Sequence, residues 1–184
     1  MSTLSLVERI VAIDGALDAR GVPHAFGGAL ALAYYTNEVR ATKDIDVNVF
    51  VPPAKVEEIF DALPDGVASG PADVDAVHRD GQVRLWWDDT PVDLFFDLDA
   101  VHVQAAEHSH DVPFARTQIR ILGSTELTVF KMLFSRSQDW VDIEAMLEAG
   151  SIDVAAAEAT YSRITGADAP ALVRLRQLAG AANA

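Results

Sequence analysis

Phe26-Gly27-Gly28 and, sixteen residues further on, Asp44-Ile45-Asp46 decide how this chain is read. The aspartates sit inside Arg40-Ala41-Thr42-Lys43-Asp44-Ile45-Asp46-Val47-Asn48-Val49. A glycine pair entering a helix lets phosphate oxygens approach bare backbone N–H groups. Side chains alternate along a strand, so Asp44, Asp46 and Asn48 share one face and Ile45, Val47 and Val49 the other. Paired carboxylates beside a glycine turn offer a place for a polyphosphate and for the Mg²⁺ or Mn²⁺ that holds it.

Upstream of that stretch, Ser5-Leu6-Val7-Glu8 is a capping-box pattern, and Leu6, Ile10, Ile13 and Leu17 recur at helical spacing. Gly21 and Pro23 end this first helix. Residues 22–26 read as a strand, Gly27-Gly28 as a turn and 29–35 as a helix. Downstream, Pro52-Pro53 opens a helix carrying Val56, Ile59, Phe60 and Leu63. Three extended segments are expected at 74–79, 82–87 and 92–96. Asp80-Gly81 reads as a strong hairpin turn between the first two, and Asp88-Asp89-Thr90-Pro91 as a weaker one. Residues 99–110 fit a short helix and a loop, and 116–122 a strand. Everything after Gly123 has helical periodicity. The expected layout is α+β, with a mixed sheet over 1–123 and a C-terminal helical region over 124–184 packed on it.

Composition limits the possible functions. The 184 residues include no cysteine and are half hydrophobic, which describes a globular chain without a disulfide framework. The N-terminus lacks a basic segment leading into an apolar run, and no apolar stretch approaches the roughly 20 residues of a membrane span. The expectation is a soluble, cytoplasmic protein without a membrane partner. Fourteen basic residues stand against 28 acidic ones, a net charge of −14. A general nucleic-acid binder carries a basic stripe, and none is visible here. A polyanionic ligand must therefore be gripped locally, by metal ions and a few cations, against the overall field.

Transfer of a nucleotidyl group in many polymerase-type sites uses two metal ions about 4 Å apart, held by carboxylates from a rigid sheet, so a third carboxylate would be expected on an adjacent strand. Asp93, in Pro91-Val92-Asp93-Leu94-Phe95-Phe96, fits best, because a carboxylate between apolar strand neighbours is costly unless a cation pairs with it. Asp97 is the fallback. Lys131 follows Leu127 by four and precedes Phe134 by three, on the apolar stripe of its helix. Its ammonium either snorkels to water or reaches a phosphate. Arg40 and Lys43 flank the carboxylate strand as surface pairs or phosphate contacts. Arg136 and Asp139 are placed to pair with each other. His102, His108 and His110 with Asp111 match no zinc spacing and read as a solvated loop. Trp86 and Trp87 must face opposite sides of their strand.

Gly27-Gly28, the Arg40–Val47 run, and Lys131 followed by Arg136-Ser137-Gln138-Asp139-Trp140-Val141-Asp142 resemble the nucleotidyltransferase superfamily, with its DNA polymerase β-like fold. Within it they look most similar to the minimal AbiEii/MenT toxin-like branch, over roughly residues 22–147. The resemblance implies a nucleotidyltransferase-type mixed sheet flanked by helices. It implies an enzyme that moves NMP from an NTP to an acceptor hydroxyl and releases pyrophosphate. Asp44, Asp46 and Asp93 would be its metal ligands, and Lys131 with Asp139, or else Asp142, would serve the active site. Gly27, Gly28, Arg40, Lys43 and Arg136 would contact the nucleotide. The implied acceptor in that branch is RNA, notably the tRNA 3′ end, in a toxin–antitoxin setting with a cognate antitoxin. The other acceptors are a small cationic antibiotic, as for aminoglycoside or lincosamide enzymes, and a partner-protein hydroxyl. A silent nucleotide-binding homologue is the non-enzymatic alternative. Two departures stand out. Gly28 occupies a position that is often serine, and Gln138 one that is commonly basic.

Overall fold

A computed structural model describes residues 4–36, 41–98 and 100–182. The chain forms two compact units, Met1–Leu30 with Ala41–Leu122, and Ala31–Arg40 with Gly123–Ala184.

The first unit is built on seven strands: β1 (His24–Phe26), β2 (Ile45–Val49), β3 (Val67–Ala68), β4 (Gln82–Trp87), β5 (Thr90–Phe96), β6 (His110–Phe114) and β7 (Thr117–Ile121). They form one mixed sheet in the order β3-β4-β5-β2-β1-β7-β6. The pairs β2·β5 and β1·β7 are parallel and the remaining pairs antiparallel. Its helices are α1 (Leu6–Ala19), α3 (Val56–Phe60), α4 (Pro71–Asp80) and α5 (Ala100–His108), and α2 (Gly28–Leu32) leads out of it. The class is α+β, as the alternation of patterns anticipates. Ser5 caps α1 as a full capping box with Glu8.

One face of the central strands is dry. Val47, Val49, Val92, Leu94 and Phe96 are completely buried, and Ile45 and Leu85 nearly so. Burying each such side chain is worth roughly 1.5–3 kcal/mol. A one-residue slip would exchange this set for the aspartates, so the register is pinned by the core and the carboxylates are forced to the opposite face.

Residues 71–80 depart from expectation, forming helix α4 where a strand was expected over 74–79. Pro71 stands in the first turn, Gly70 is the N-cap with the Asp73 carboxylate accepting from its N–H (2.8 Å), and Val77 is fully buried. Gly81, at φ 67°, is therefore a left-handed helix cap instead of a hairpin residue. The β4–β5 hairpin instead turns at Asp88-Asp89, with Asp88 at φ 53° and Trp87 opposite Thr90. Arg9 on α1 steadies that turn from within the unit. It donates to Asp88 (2.8 Å), Asp89 (3.2 Å) and Thr90, and its guanidinium lies over Trp87. Strand β6 was also unforeseen. It contains Pro113 and sits at the sheet edge, where a missing N–H is tolerated.

The second unit packs α6 (Ser124–Phe134), α7 (Ser137–Glu148), α8 (Val154–Thr165) and α9 (Pro170–Ala182) around Leu127, Met132, Ile143, Met146, Leu172 and Leu175. No helix among the described residues is long and apolar enough to cross a membrane.

Candidate active site

The sheet aligns the site in one transverse row. Asp46 on β2 is in register with Asp93 on β5, and Asp93 with Arg84 on β4. On the other side of Asp46, the Gly27 N–H donates to its backbone carbonyl (2.9 Å). Arg84, Asp93 and Asp46 thus cross three adjacent strands, about 4.8 Å apart, and Gly27 continues the row just past the end of β1. Asp44 lies two residues before Asp46 and has the same parity, so it faces the same way.

Register separates the two candidates for the third carboxylate. Asp93 stands beside Asp46, whereas Asp97 lies just past the far end of β5, where its N–H donates to Val51. Four residues of strand amount to about 13 Å.

Arg84, which the sequence reading missed, is the main electrostatic feature of the row. Its Nε and Nη2 donate to the two oxygens of Asp93, both at 2.7 Å, and Nη2 lies 3.5 Å from the Asp44 carboxylate. The hydrogen bonds to Asp93, helped by the charges of Asp93, Asp44 and Asp46, raise the Arg84 pKa beyond its already high ordinary value. The guanidinium is charged at every working pH. A signal for it was present: a two-residue turn at Asp88-Asp89 pairs residues equidistant from it, Trp87 with Thr90 and Arg84 with Asp93.

Gly28 has φ 51°, and a Cβ built on it would collide with the Asp46 carboxylate. A serine there would combine a left-handed backbone with a Cβ pressed against the Asp46 carboxylate, so glycine suits this position. The Gly27 N–H is already committed to the sheet, so backbone donors for a phosphate must begin at Gly28. Lys43 is exposed, and Arg40 lies outside the described residues.

Lys131, Asp139 and Asp142 belong to the second unit and form a buried network there. Lys131 Nζ donates to Asp142 (2.6 Å) and lies 3.8 Å from Asp139. Gln138 donates to the other Asp142 oxygen (3.0 Å), and Arg136 donates to Asp139 through its backbone N–H, Nε and Nη2. Each charge in this network therefore has a counter-ion, as burial requires. Asp142 is the closer partner of Lys131, and Arg136 and Asp139 do pair.

The carboxylate row suits a hard divalent cation in donor type and shared face. Its side chains do not converge into a finished cage: among the described residues no group of three His, Cys, Asp or Glu is gathered closely enough to hold a metal. The guanidinium of Arg84 stands among the carboxylates instead. Among the described residues the histidines gather no metal site either. His102 is buried in α5, and His110 is exposed on β6.

At the other end of β1 and β2, a cleft of about 420 Å³ is lined by Asp14, Asp18, His24, Phe50, Asp111 and Arg120, among others. Two pairs of its polar side chains face each other. His24 faces Asp14 (3.3 Å) and Arg120 donates to Asp111 (3.0 Å).

No family model and no curated protein matches the sequence. Solved structures are similar to it to different degrees. ANT(2")-Ia in complex with adenylyl-2"-tobramycin matches at TM-score 0.50 and 16% identity, over 96% of each chain. The antibiotic-resistance factor ANT(2")-Ia in solution matches at TM-score 0.49 and 16% identity, over 97% of this chain and 84% of its own. A nucleotidyltransferase-like antigen from Paracoccidioides brasiliensis matches at TM-score 0.46 and 15% identity, over 76% of this chain and 74% of its own. The chain has the nucleotidyltransferase-type α+β fold.

Proposed function

We propose that this protein is a metal-dependent nucleotidyltransferase that transfers NMP from an NTP to an acceptor hydroxyl. The observation that carries the reading is the register row, which sets Asp93 beside Asp46 and Asp46 beside the glycine turn, with Asp44 on the same face. Carboxylates beside the glycine turn would lie next to the backbone donors that a triphosphate would use. Mg²⁺ or Mn²⁺, when bound, neutralises charge on the phosphates and favours ionisation of the acceptor hydroxyl. Asp44, Asp46 and Asp93 would be its ligands, and the backbone from Gly28 onward would receive phosphate oxygens. The acceptor oxygen forms a bond to the α-phosphorus, the bond to the bridging oxygen of the β-phosphate breaks, and pyrophosphate leaves. The acceptor proton passes to Asp93 or to solvent.

The resemblance implies an RNA acceptor, the tRNA 3′ end in particular, and with it a toxin role and an antitoxin partner. A second acceptor class has its own support. The net charge of −14 favours a cationic small molecule, and ANT(2")-Ia, which shares the fold, was solved with adenylyl-2"-tobramycin. Incubation with each α-labelled NTP and Mg²⁺, with total RNA in one arm and an aminoglycoside panel in the other, tests both. Label transferred to RNA supports the first acceptor and label on the aminoglycoside the second. No transfer to either, with pyrophosphate release also absent, refutes both of these acceptors.

A further inference from the structure

Asp93 faces two claimants. As a metal ligand it must present oxygens to a divalent cation. Yet both of its oxygens receive donors from Arg84 at 2.7 Å, in the bidentate geometry that gives the strongest carboxylate pairs. The same guanidinium reaches to 3.5 Å from Asp44, a second intended ligand. A carboxylate has lone pairs to spare, so Asp93 alone does not forbid sharing. The charge does the excluding: a cation drawn into this cluster must sit beside a positive group that already offsets one of its three carboxylates.

We propose that Arg84 is a positioning residue that competes with the divalent cation for Asp93 and Asp44, and so sets the metal concentration at which the site assembles. This rests on the reading of the row as a metal site. Two features make the competition workable. The Arg84 side chain is half exposed (50%), so it can leave the cluster for water without stranding a buried charge. It also projects from β4, one strand beyond Asp93, so withdrawal needs rotamer changes and no movement of the sheet. A gate of this kind keeps the three carboxylates from repelling one another before metal and nucleotide arrive, and it penalises a metal arriving alone. A triphosphate that brings its own metal offers Arg84 a new anion in exchange for Asp93.

The test is Mn²⁺ binding without nucleotide, read from the electron paramagnetic resonance signal of the free ion, for wild type, Arg84→Gln, Arg84→Lys and Asp93→Asn. Removing one unit charge on the order of 5 Å from a divalent ion, screened as in water, corresponds to about a tenfold change in affinity. Arg84→Gln should therefore bind Mn²⁺ about tenfold more tightly than wild type. Arg84→Lys, which keeps the charge and loses the fork, should fall between them. Asp93→Asn should bind more weakly than wild type. In EDTA, Arg84→Gln should melt at or below the wild-type temperature and gain more than wild type from added Mn²⁺. Loss of a purely structural contact cannot strengthen metal binding, so unchanged or weaker affinity in a folded Arg84→Gln overturns the competition. If Arg84→Gln does not fold, Arg84→Lys decides alone: affinity no higher than wild type overturns it. Wild type, Arg84→Gln and Arg84→Lys all failing to bind Mn²⁺ overturns the metal-site reading itself.

Discussion

Gly28→Ala attacks the joint between the glycine turn and the carboxylates. With φ at 51°, an alanine there is held in the left-handed region, at a cost of about 1–2 kcal/mol. Its Cβ also falls onto the Asp46 carboxylate, whose Cβ lies only 3.0 Å from the built position, so backbone and side chain must both yield. The combined cost should be about 2–4 kcal/mol. Two other glycines calibrate the number. At Gly27 the new methyl meets Asn48 Nδ2 at 2.9 Å and Leu122 Cδ1 at 3.2 Å, both side-chain atoms able to shift, and φ is not positive. Gly27→Ala should cost less, about 1–2 kcal/mol, in the range of ordinary overpacking. Gly15 lies exposed inside α1 with nothing within 4 Å of a Cβ, so Gly15→Ala should stabilise by about 0.5–1 kcal/mol. Urea denaturation of the three variants gives the order directly. Mn²⁺ titration of Gly28→Ala should show in addition a loss of affinity that Gly15→Ala lacks. Gly28→Ala as stable as wild type, or milder than Gly27→Ala, would falsify the account of why glycine stands at 28.

Three further outcomes are expected. Asp46→Asn should abolish Mg²⁺-dependent transfer and leave the melting temperature within a few degrees of wild type, since no core contact is lost; transfer near the wild-type rate would refute the assignment of Asp46 as a ligand. His24 is buried, which alone lowers its pKa, but the Asp14 hydrogen bond, the Val22 carbonyl and the charges of Asp14 and Asp18 together raise it above 6.5. The raised folded value means His24 contributes stability fully below 6.5 that disappears as pH rises through the folded pKa. Urea midpoints measured from about pH 5.5 to 8.5 should fall across that window in wild type and less in His24→Gln; parallel curves would count against it. Lys131→Ala removes the ammonium that pairs with buried Asp142 and should cost about 3–5 kcal/mol by urea denaturation. The apolar double replacement Lys131→Met with Asp142→Leu should recover a large part of that loss, and equal loss in both would show that the pairing is not the cause.

The glycine turn shows how local chemistry can be legible while its meaning depends on context. Asp80-Gly81 carries the residues of a tight hairpin, yet it caps a helix. Both uses need the same left-handed glycine, and what separates them is whether the preceding ten residues bury one face at helical spacing. In 71–80 the helix depends on Pro71 and Asp73 at its start and on burial of Val77, and only the packed unit supplies that burial. Asp88-Asp89 looked the weaker turn and makes the hairpin, because Arg9 from α1 donates to three consecutive residues of it. Pairing between residues about 80 apart leaves no trace in a local window.

Sequence by itself determined the alternation of β2, and with it a carboxylate face opposite a valine face, because period-two patterning and burial admit one solution. It determined the capped first helix and the need for flexible backbone at 27–28. Register was decided elsewhere. Only the assembled sheet sets Asp93 rather than Asp97 beside Asp46, places Arg84 against Asp93, and turns Gly28 from a permissive residue into one that Asp46 requires. Only the helical unit engages Lys131 with Asp142. The physical reason is the same in each case. A pattern along the chain fixes which face a side chain takes, whereas the charges it meets on that face come from strands and helices brought together by burial of the other one.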